Sequence, residues 1–123
     1  MMKSFLIITR HAGNFTRLAN KLKDATANEL IWADSVAAAR TAASGSIDLI
    51  IIDEKVEGSP GPDIAKEMIR VNAMANLVLV SSLSPEDFHE ATEGLGIMAQ
   101  LPLNPDEKDA EQLLTILGQL SNP

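Results

Sequence analysis

Three apolar runs in this chain are each followed by polar residues that could bind or accept a phosphoryl group. They are Asp53 after residues 49–52, Ser81 after residues 77–80, and Thr9-Arg10-His11 after residues 5–8. The carboxyl ends of parallel strands meet at one edge of a sheet, so we expect these polar residues to face a common crevice. A carboxylate, a hydroxyl and a cation grouped there suit the binding or transfer of a phosphoryl group.

Composition limits the class of protein that can carry this site. The chain has 123 residues, and we expect one domain over residues 1–123. Hydrophobic residues make up 46% and aromatics 3%, which predicts an aliphatic core, and the absence of cysteine excludes thiolate metal sites. The apolar runs are too short for a membrane span, and a net charge of −7 would repel nucleic-acid phosphates. We therefore expect a cytoplasmic protein that binds neither nucleic acid nor membranes.

Five apolar runs alternate with segments of helical periodicity. The runs cover residues 5–8, 30–33, 49–52, 77–80 and 97–101, and we predict that they are strands buried on both faces. Predicted helix starts lie at Asn14, Asp34, Ser84 and Asn104-Pro105-Asp106-Glu107. The Gly- and Pro-rich residues 58–62 are predicted to form a turn. Five β-α units in series predict an α/β fold with a doubly wound, five-stranded parallel sheet.

Taken together, these motifs resemble the receiver domains of two-component response regulators over nearly the whole chain. Residues 48–53 are similar to the strand that carries the phospho-accepting aspartate, which gives that role to Asp53. Val80-Ser81-Ser82 is similar to the strand end that supplies a phosphate-contacting hydroxyl, here Ser81. Gln100-Leu101-Pro102 is similar to the Lys-Pro segment before the last helix. The resemblance implies a flavodoxin-like fold with strand order 2-1-3-4-5, and a non-enzymatic role in phosphorelay signal transduction.

The chain departs from the receiver pattern where phosphoryl chemistry needs charge. Receivers carry two adjacent acids for Mg²⁺ after the first strand, whereas this chain has Thr9-Arg10, and arginine cannot ligate a metal. Leu101 replaces the lysine that would pair with the phosphoryl group. We therefore expect no cofactor, a lost Mg²⁺ site, and a salt bridge between Arg10 and Asp53 in its place. By the same resemblance, the Leu101–Pro102 peptide is expected to be cis.

These departures favour a pseudo-receiver that acts by protein–protein interaction, with a signalling protein, an effector domain or a second copy of itself as partner. Receivers usually meet partners through the fourth helix, fifth strand and fifth helix, which implies an interface at Phe88, Ala91 and Met98. Met98 stands at the position of the family's aromatic switch residue. Whether an effector domain follows Pro123 stays open.

Two other hypotheses remain. In one, the chain is a working receiver that is phosphorylated on Asp53 by a non-standard route. In the other, it is a flavodoxin-like flavin or phosphate binder, because residues 9–16 are similar to the hydroxyl-rich loop that holds a flavin phosphate. A helix starting near Asn14 would then point its positive end at the anion.

Overall fold

The computed structural model describes residues 3–25 and 29–121, in which strands and helices alternate. The strands are β1 (Ser4–Ile8), β2 (Glu29–Ala33), β3 (Leu49–Ile52), β4 (Lys55–Val56), β5 (Ser59–Pro60), β6 (Asn76–Val80) and β7 (Ile97–Leu101). The α-helices are α1 (Thr16–Ala25), α2 (Val36–Ala43), α3 (Gly61–Val71), α4 (Pro85–Ala91) and α5 (Glu107–Ser121), and a 3-10 turn at Ala12–Phe15 precedes α1. Among the helices of the described residues, none is long and apolar enough to cross a membrane.

The main sheet has five parallel strands in the order β2-β1-β3-β6-β7. With the short antiparallel pair β4-β5 set aside, this is the predicted order 2-1-3-4-5, so the fold class is confirmed. Each predicted strand is present, and three of them begin one residue earlier than the apolar run does. The central strands β1, β3 and β6 each contain four consecutive buried apolar residues, as predicted for strands covered on both faces. The prediction of burial on both faces is wrong for the edge strands β2 and β7, in which only Ala33 and Leu101 are buried.

Two apolar layers cover the sheet, one on each side. In β1, Phe5 and Ile7 belong to the layer beneath α1 and α5, whereas Leu6 and Ile8 belong to the layer beneath α2 and α3. This alternation follows from the two-residue period of a strand. The carboxyl ends of β1, β3 and β6 are therefore held from both sides, and the residues that follow them start from fixed positions.

A bulge in the edge strand β7 decides which way its side chains point. Leu77 pairs with Ile97 and Val78 pairs with Ala99, so Met98 is the extra residue. Met98 and Ala99 both pack on the α1/α5 layer, while Phe88 packs on the opposite layer. Two of the three predicted interface residues, Phe88 and Met98, thus lie on opposite sides of the sheet.

The predicted turn at residues 58–62 is a small hairpin that runs directly into α3. Glu57 and Gly58 both have positive φ, at 53° and 81°, as in the tight turns that join hairpin strands. The Glu57 carboxylate accepts a hydrogen bond from the Val36 N–H at 2.9 Å. The hairpin thereby satisfies a free N–H in the first turn of α2.

The predicted helix starts are partly confirmed. Ser84 caps α4, since its Oγ accepts from the Asp87 N–H at 3.2 Å. The cap of α2 is Ser35 and not Asp34, because the Ser35 hydroxyl reaches the Ala38 N–H at 3.0 Å. Two further starts also differ. Asn14 lies inside the 3-10 turn, and Asp106 rather than Asn104 accepts from the first turn of α5.

Candidate functional site

The register of the sheet brings Thr9 opposite Asp53. Ile8 pairs with Ile52, and the pairing continues one residue further, where the Asp53 N–H donates to the Ile8 carbonyl at 2.9 Å. Thr9 is 4% exposed and Asp53 is half-buried. Because neighbouring parallel strands place paired side chains on the same face, Thr9 is the residue that β1 presents to Asp53.

Hydrogen bonds occupy both oxygens of the Asp53 carboxylate. Its Oδ2 accepts from the Thr9 hydroxyl at 2.6 Å, and its Oδ1 accepts from the Glu54 N–H at 2.7 Å. The Thr9 oxygen in turn accepts from the His11 N–H at 2.9 Å. The 2.6 Å separation is typical of a hydroxyl that donates to an ionised carboxylate.

The predicted salt bridge between Arg10 and Asp53 is wrong. Arg10 is exposed and forms no salt bridge within residues 3–25 and 29–121. Because side chains alternate along an extended segment, Arg10 points away from the face on which Thr9 meets Asp53. The guanidinium instead lines a groove with Trp32 and Asp34, at the carboxyl ends of β1 and β2.

Ser81 lies at the same edge of the sheet but is engaged with its own loop. The β3–β6 register, in which Ile52 pairs with Leu79, puts Ser81 one position past Asp53. Its hydroxyl oxygen accepts from the Leu83 N–H at 3.1 Å. A serine that bonds the backbone two residues on is a common turn device, and it fixes the start of the β6–α4 loop.

Leu101 and Pro102 do not contribute a side chain to Asp53. Leu101 is 2% exposed and packs in the apolar layer beneath α1 and α5. The Leu101–Pro102 peptide is trans, so the expected cis bond is wrong. An apolar leucine gains by entering the core, whereas the lysine of a receiver has to reach the phosphoryl group.

Sequence reasoning missed a second link across this edge, between Glu54 and Ser82. Glu54 Oε2 accepts from both the N–H and the hydroxyl of Ser82, at 2.6 and 2.8 Å. Gln100 supports the same loop, since its Nε2 donates to the carbonyls of Ser81 and Leu83 at 3.3 and 2.8 Å. A signal was present, since Glu54 and Ser82 directly follow Asp53 and Ser81 and are also 28 residues apart.

The flavin-loop hypothesis gains no support from residues 9–16. The Thr16 hydroxyl donates to the Gly13 carbonyl at 3.1 Å, so it closes the 3-10 turn. The Asn14 N–H donates to the His11 carbonyl at 2.9 Å in the same turn. These groups hold the loop together and do not form a cradle for a phosphate.

Solved structures with the same architecture are numerous, although no protein-family model and no curated protein matches the sequence. A two-component response regulator from Clostridium difficile is 17% identical, with a TM-score of 0.81 over 98% of this chain and 99% of that one. A response regulator from Thermotoga maritima is 16% identical, with a TM-score of 0.81 over 96% and 99%. A candidate pilus assembly protein (cpaE) from Burkholderia thailandensis is 16% identical, with a TM-score of 0.75 over 96% and 99%.

The chain has the fold of a response regulator receiver domain. At these identities the likeness establishes the fold, and the residues at the edge of the sheet have to decide the chemistry. In the receiver fold the edge carries Asp53 at the end of β3, with Thr9 and Arg10 after β1 and Ser81 after β6.

Gly61 fits the receiver site closely. A Cβ atom at this position would lie 3.3 Å from the Asp53 carbonyl oxygen, which is tighter than an ordinary contact. The Gly61 N–H also donates to the Glu54 carbonyl at 3.0 Å. The start of α3 therefore packs directly on the backbone of Asp53, and a side chain at this position would require that backbone to shift by a few tenths of an ångström.

The donor set at the receiver site does not fit a magnesium ion. Mg²⁺ takes oxygen ligands, mostly carboxylates and water, in octahedral geometry. The Thr9 hydroxyl donates a hydrogen bond to Asp53, and the Arg10 guanidinium offers only N–H donors. Within the described residues, no group of three or more His, Cys, Asp or Glu side chains is placed to hold a metal.

Proposed function

We propose that this chain is a pseudo-receiver: a cytoplasmic signalling module that uses the receiver fold to bind partner proteins, without Mg²⁺-dependent phosphorylation. It is not an enzyme in this proposal. Its partner is a signalling protein, an effector domain or a second copy of the chain.

The hydrogen bond from Thr9 to Asp53 is the observation that carries the proposal. A phospho-accepting aspartate needs a free carboxylate oxygen and a metal that neutralises the incoming phosphoryl group. Here Asp53 Oδ2 accepts from Thr9 at 2.6 Å, and a hydroxyl stands where a metal-binding acid is required. The carboxylate accepts from two protein donors, and no lysine or arginine of the described residues forms a salt bridge with it.

The second support is that neither Arg10 nor Leu101 supplies positive charge at the phosphoryl position. Charge spread over three phosphoryl oxygens has to be stabilised by positive groups in a preorganised site. Leu101 is buried in the core and Arg10 is exposed on another face. Attack of Asp53 on a phosphoryl donor therefore has no electrostatic assistance from these two positions.

One observation favours the alternative of a working receiver. Asp53 is half-buried, so its carboxylate is still accessible to solvent. Ser81 directly follows the neighbouring strand β6. A phosphoryl donor that brings its own cation would find both residues at one edge of the sheet.

Backbone NMR with beryllofluoride or acetyl phosphate, in millimolar Mg²⁺, tests the proposal. Beryllofluoride mimics an aspartyl phosphate, and we expect the amide spectrum to stay unchanged. Saturable shifts centred on Asp53 and Ser81 that vanish in Asp53→Asn would establish the working receiver instead. The Asp53→Asn variant separates binding at the site from general effects of the reagent.

The interface at Phe88, Ala91 and Met98 stays part of this proposal. Ala91 is exposed, whereas Phe88 and Met98 are half-buried on opposite sides of the sheet. Ala91→Glu is expected to weaken self-association or partner binding, measured by light scattering or pull-down, with the fold intact. Association that survives Ala91→Glu and is lost in Arg10→Ala or Asp53→Asn would place the interface at the pocket.

A further inference from the structure

An apolar cleft lies between α4 and the start of α3; it adjoins the Asp53 edge, since Glu54 and Ser81 also line it, but Asp53 itself does not line the cleft. Its walls are formed by Pro60 and Pro62 on one side and by Leu83, Phe88 and Ala91 on the other. The cleft encloses about 250 Å³. Leu83 is 45% exposed, in a protein whose other aliphatic side chains are mostly in the core.

The cleft stays open because α4 is only loosely attached to the sheet. None of the residues in α4 is fully buried, and Phe88 is the only large apolar side chain that the helix contributes to the layer beneath it. Ala91, one turn further on, is too small to reach the α3 side. The space between Ala91 and the two prolines is therefore apolar and unfilled.

The α4 side of the cleft is acidic, whereas the exposed Lys55 and Lys66 lie on the hairpin and α3 side. From Val71 to Glu107 the sequence contains no lysine or arginine. The acids in this stretch are Glu86, Asp87, Glu90, Glu93, Asp106 and Glu107. Three of these acids lie on α4 itself and are exposed. A partner that approaches the cleft thus meets an apolar centre with a negative rim on its α4 side, and complementary charge would steer it there.

We propose that this cleft binds a basic peptide segment of a partner protein, which inserts one bulky apolar side chain between α3 and α4 and flanks it with lysine or arginine. The inference rests on the proposed function, because it names the partner chemistry of a module that acts by protein contact. The cleft is smaller than the roughly 300 to 1,000 Å³ of small-molecule sites, which suits an anchoring side chain better than a cofactor.

This site differs from the interface expected from the receiver resemblance. That interface runs from α4 across the edge strand β7 towards α5, and it includes Met98. The cleft faces α3, on the side of the sheet where Phe88 packs, whereas Met98 packs on the other side. The two surfaces share Phe88 and Ala91, so Leu83, which lines only the cleft, and Met98, which belongs only to the expected interface, are the positions that test them separately.

The test selects binders from a random peptide library on the whole chain and measures the dissociation constants of synthesised peptides. We expect the enriched peptides to carry Lys or Arg within a few positions of a Leu, Ile, Phe, Met or Trp. Ala91→Trp fills the cleft and should weaken binding about tenfold or more. His89→Trp, on the same helix but outside the cleft, is the matched control and should leave the dissociation constant unchanged.

A second pair of variants tests the charge and guards against misfolding. Asp87→Lys/Glu90→Lys should weaken binding and remove most of its salt dependence. Leu83→Ser removes a cleft wall from a loop and should weaken binding if Ala91→Trp does not fold. Circular dichroism melting establishes the fold of each variant.

Three results would overturn the inference: no enriched peptide, enriched peptides without basic residues, or unchanged binding in folded Ala91→Trp and Leu83→Ser. The beryllofluoride experiment tests Asp53 independently of the peptide-binding measurements. If no peptide binds the cleft and Asp53 does not respond to beryllofluoride, this inference alone is overturned. A phosphorylatable Asp53 with intact peptide binding overturns the proposed function alone.

Discussion

The Thr9 hydroxyl donates to Asp53 Oδ2 at 2.6 Å, and this contact joins the ends of the two central strands β1 and β3. In a receiver, the residues at these two strand ends cooperate to hold a metal. Here the residues at the same two positions form a hydrogen bond with each other. The contact is short, charge-assisted and part-buried, so it contributes to stability as well as to the chemistry of the site.

Removing the Thr9 hydroxyl should destabilise the protein. Thr9→Val keeps the shape of the side chain but leaves Asp53 Oδ2 and the His11 N–H without their partner. We expect the free energy of unfolding to fall by about 1 to 3 kcal/mol, the range for leaving a buried hydrogen-bonding group without its partner. Urea denaturation at neutral pH measures it. Thr9→Ser keeps the hydroxyl and should lose less unfolding free energy than Thr9→Val. Equal losses of stability in both variants would show that packing, not the hydrogen bond, dominates.

Arg10 should contribute nothing to Asp53. The side chain is exposed and forms no salt bridge in the described part of the chain. A double-mutant cycle of Arg10→Ala and Asp53→Asn should give a coupling energy within about 0.5 kcal/mol of zero. A coupling above that range, of stabilising sign, would restore the ion pair that the sequence suggested.

The difference between Thr9 and Arg10 shows where sequence reasoning stops at this site. Apolar runs predict the strands, of which the central three are buried on both faces, and parallel topology predicts that Asp53 and the end of β1 share an edge. Which of two consecutive residues faces Asp53 depends on strand register, and a shift of one residue exchanges them. The apolar runs do not specify register to one residue, so charge alone favours Arg10 as the partner, and the register selects Thr9.

The same limit affects the remaining site residues. The receiver resemblance places Met98 and Phe88 on one interface, which stays a prediction, and a bulge of one residue in β7 packs Met98 on the layer opposite Phe88. Analogy with a lysine puts Leu101 at the pocket, although an apolar side chain is more stable in the core. Both outcomes depend on packing that is settled by the whole fold.

The Glu54–Ser82 contact should hold the β6–α4 loop in place. Glu54→Ala removes the acceptor of two hydrogen bonds, whereas Ser82→Ala removes only the one from the hydroxyl. The amide hydrogen of Ser82 should exchange roughly tenfold faster in Glu54→Ala, which corresponds to about 1.4 kcal/mol. Ser82→Ala should retain most of the protection of that amide. Equal exchange in both variants would mean that the backbone bond to Glu54 contributes little.

Two glycine substitutions should have opposite effects. Gly61→Ala places a Cβ 3.3 Å from the Asp53 carbonyl oxygen, and overpacking of this kind costs about 1 to 3 kcal/mol. Gly118 lies within α5, and a methyl group there would meet nothing within 4 Å, so Gly118→Ala should stabilise by about 0.5 to 1 kcal/mol. Thermal and urea unfolding measure both. A neutral Gly61→Ala would show that α3 can move away from Asp53 without loss.

The start of α5 should make stability depend on pH. Asp106 Oδ1 accepts from the N–H groups of Lys108 and Asp109, and Asp109 Oδ2 accepts from the Asp106 N–H at 2.9 Å. This is a reciprocal capping arrangement. The hydrogen bond from the Asp109 backbone is the main cause that lowers the pKa of Asp106 below its ordinary value of 3.8, and burial opposes it.

The sign of the effect follows from the lowered pKa of Asp106. The ionised carboxylate contributes stability above the pKa of the unfolded chain, and that contribution is lost as pH falls through the lower pKa of the folded state. The difference in unfolding free energy between wild type and Asp106→Asn should therefore be constant near neutral pH and change in favour of the variant below about pH 4. Urea denaturation across this range measures it, with Glu93→Gln, an exposed acid outside the α5 start, as the control. A difference that stays constant down to about pH 2 would show that the Asp106 cap does not titrate with folding.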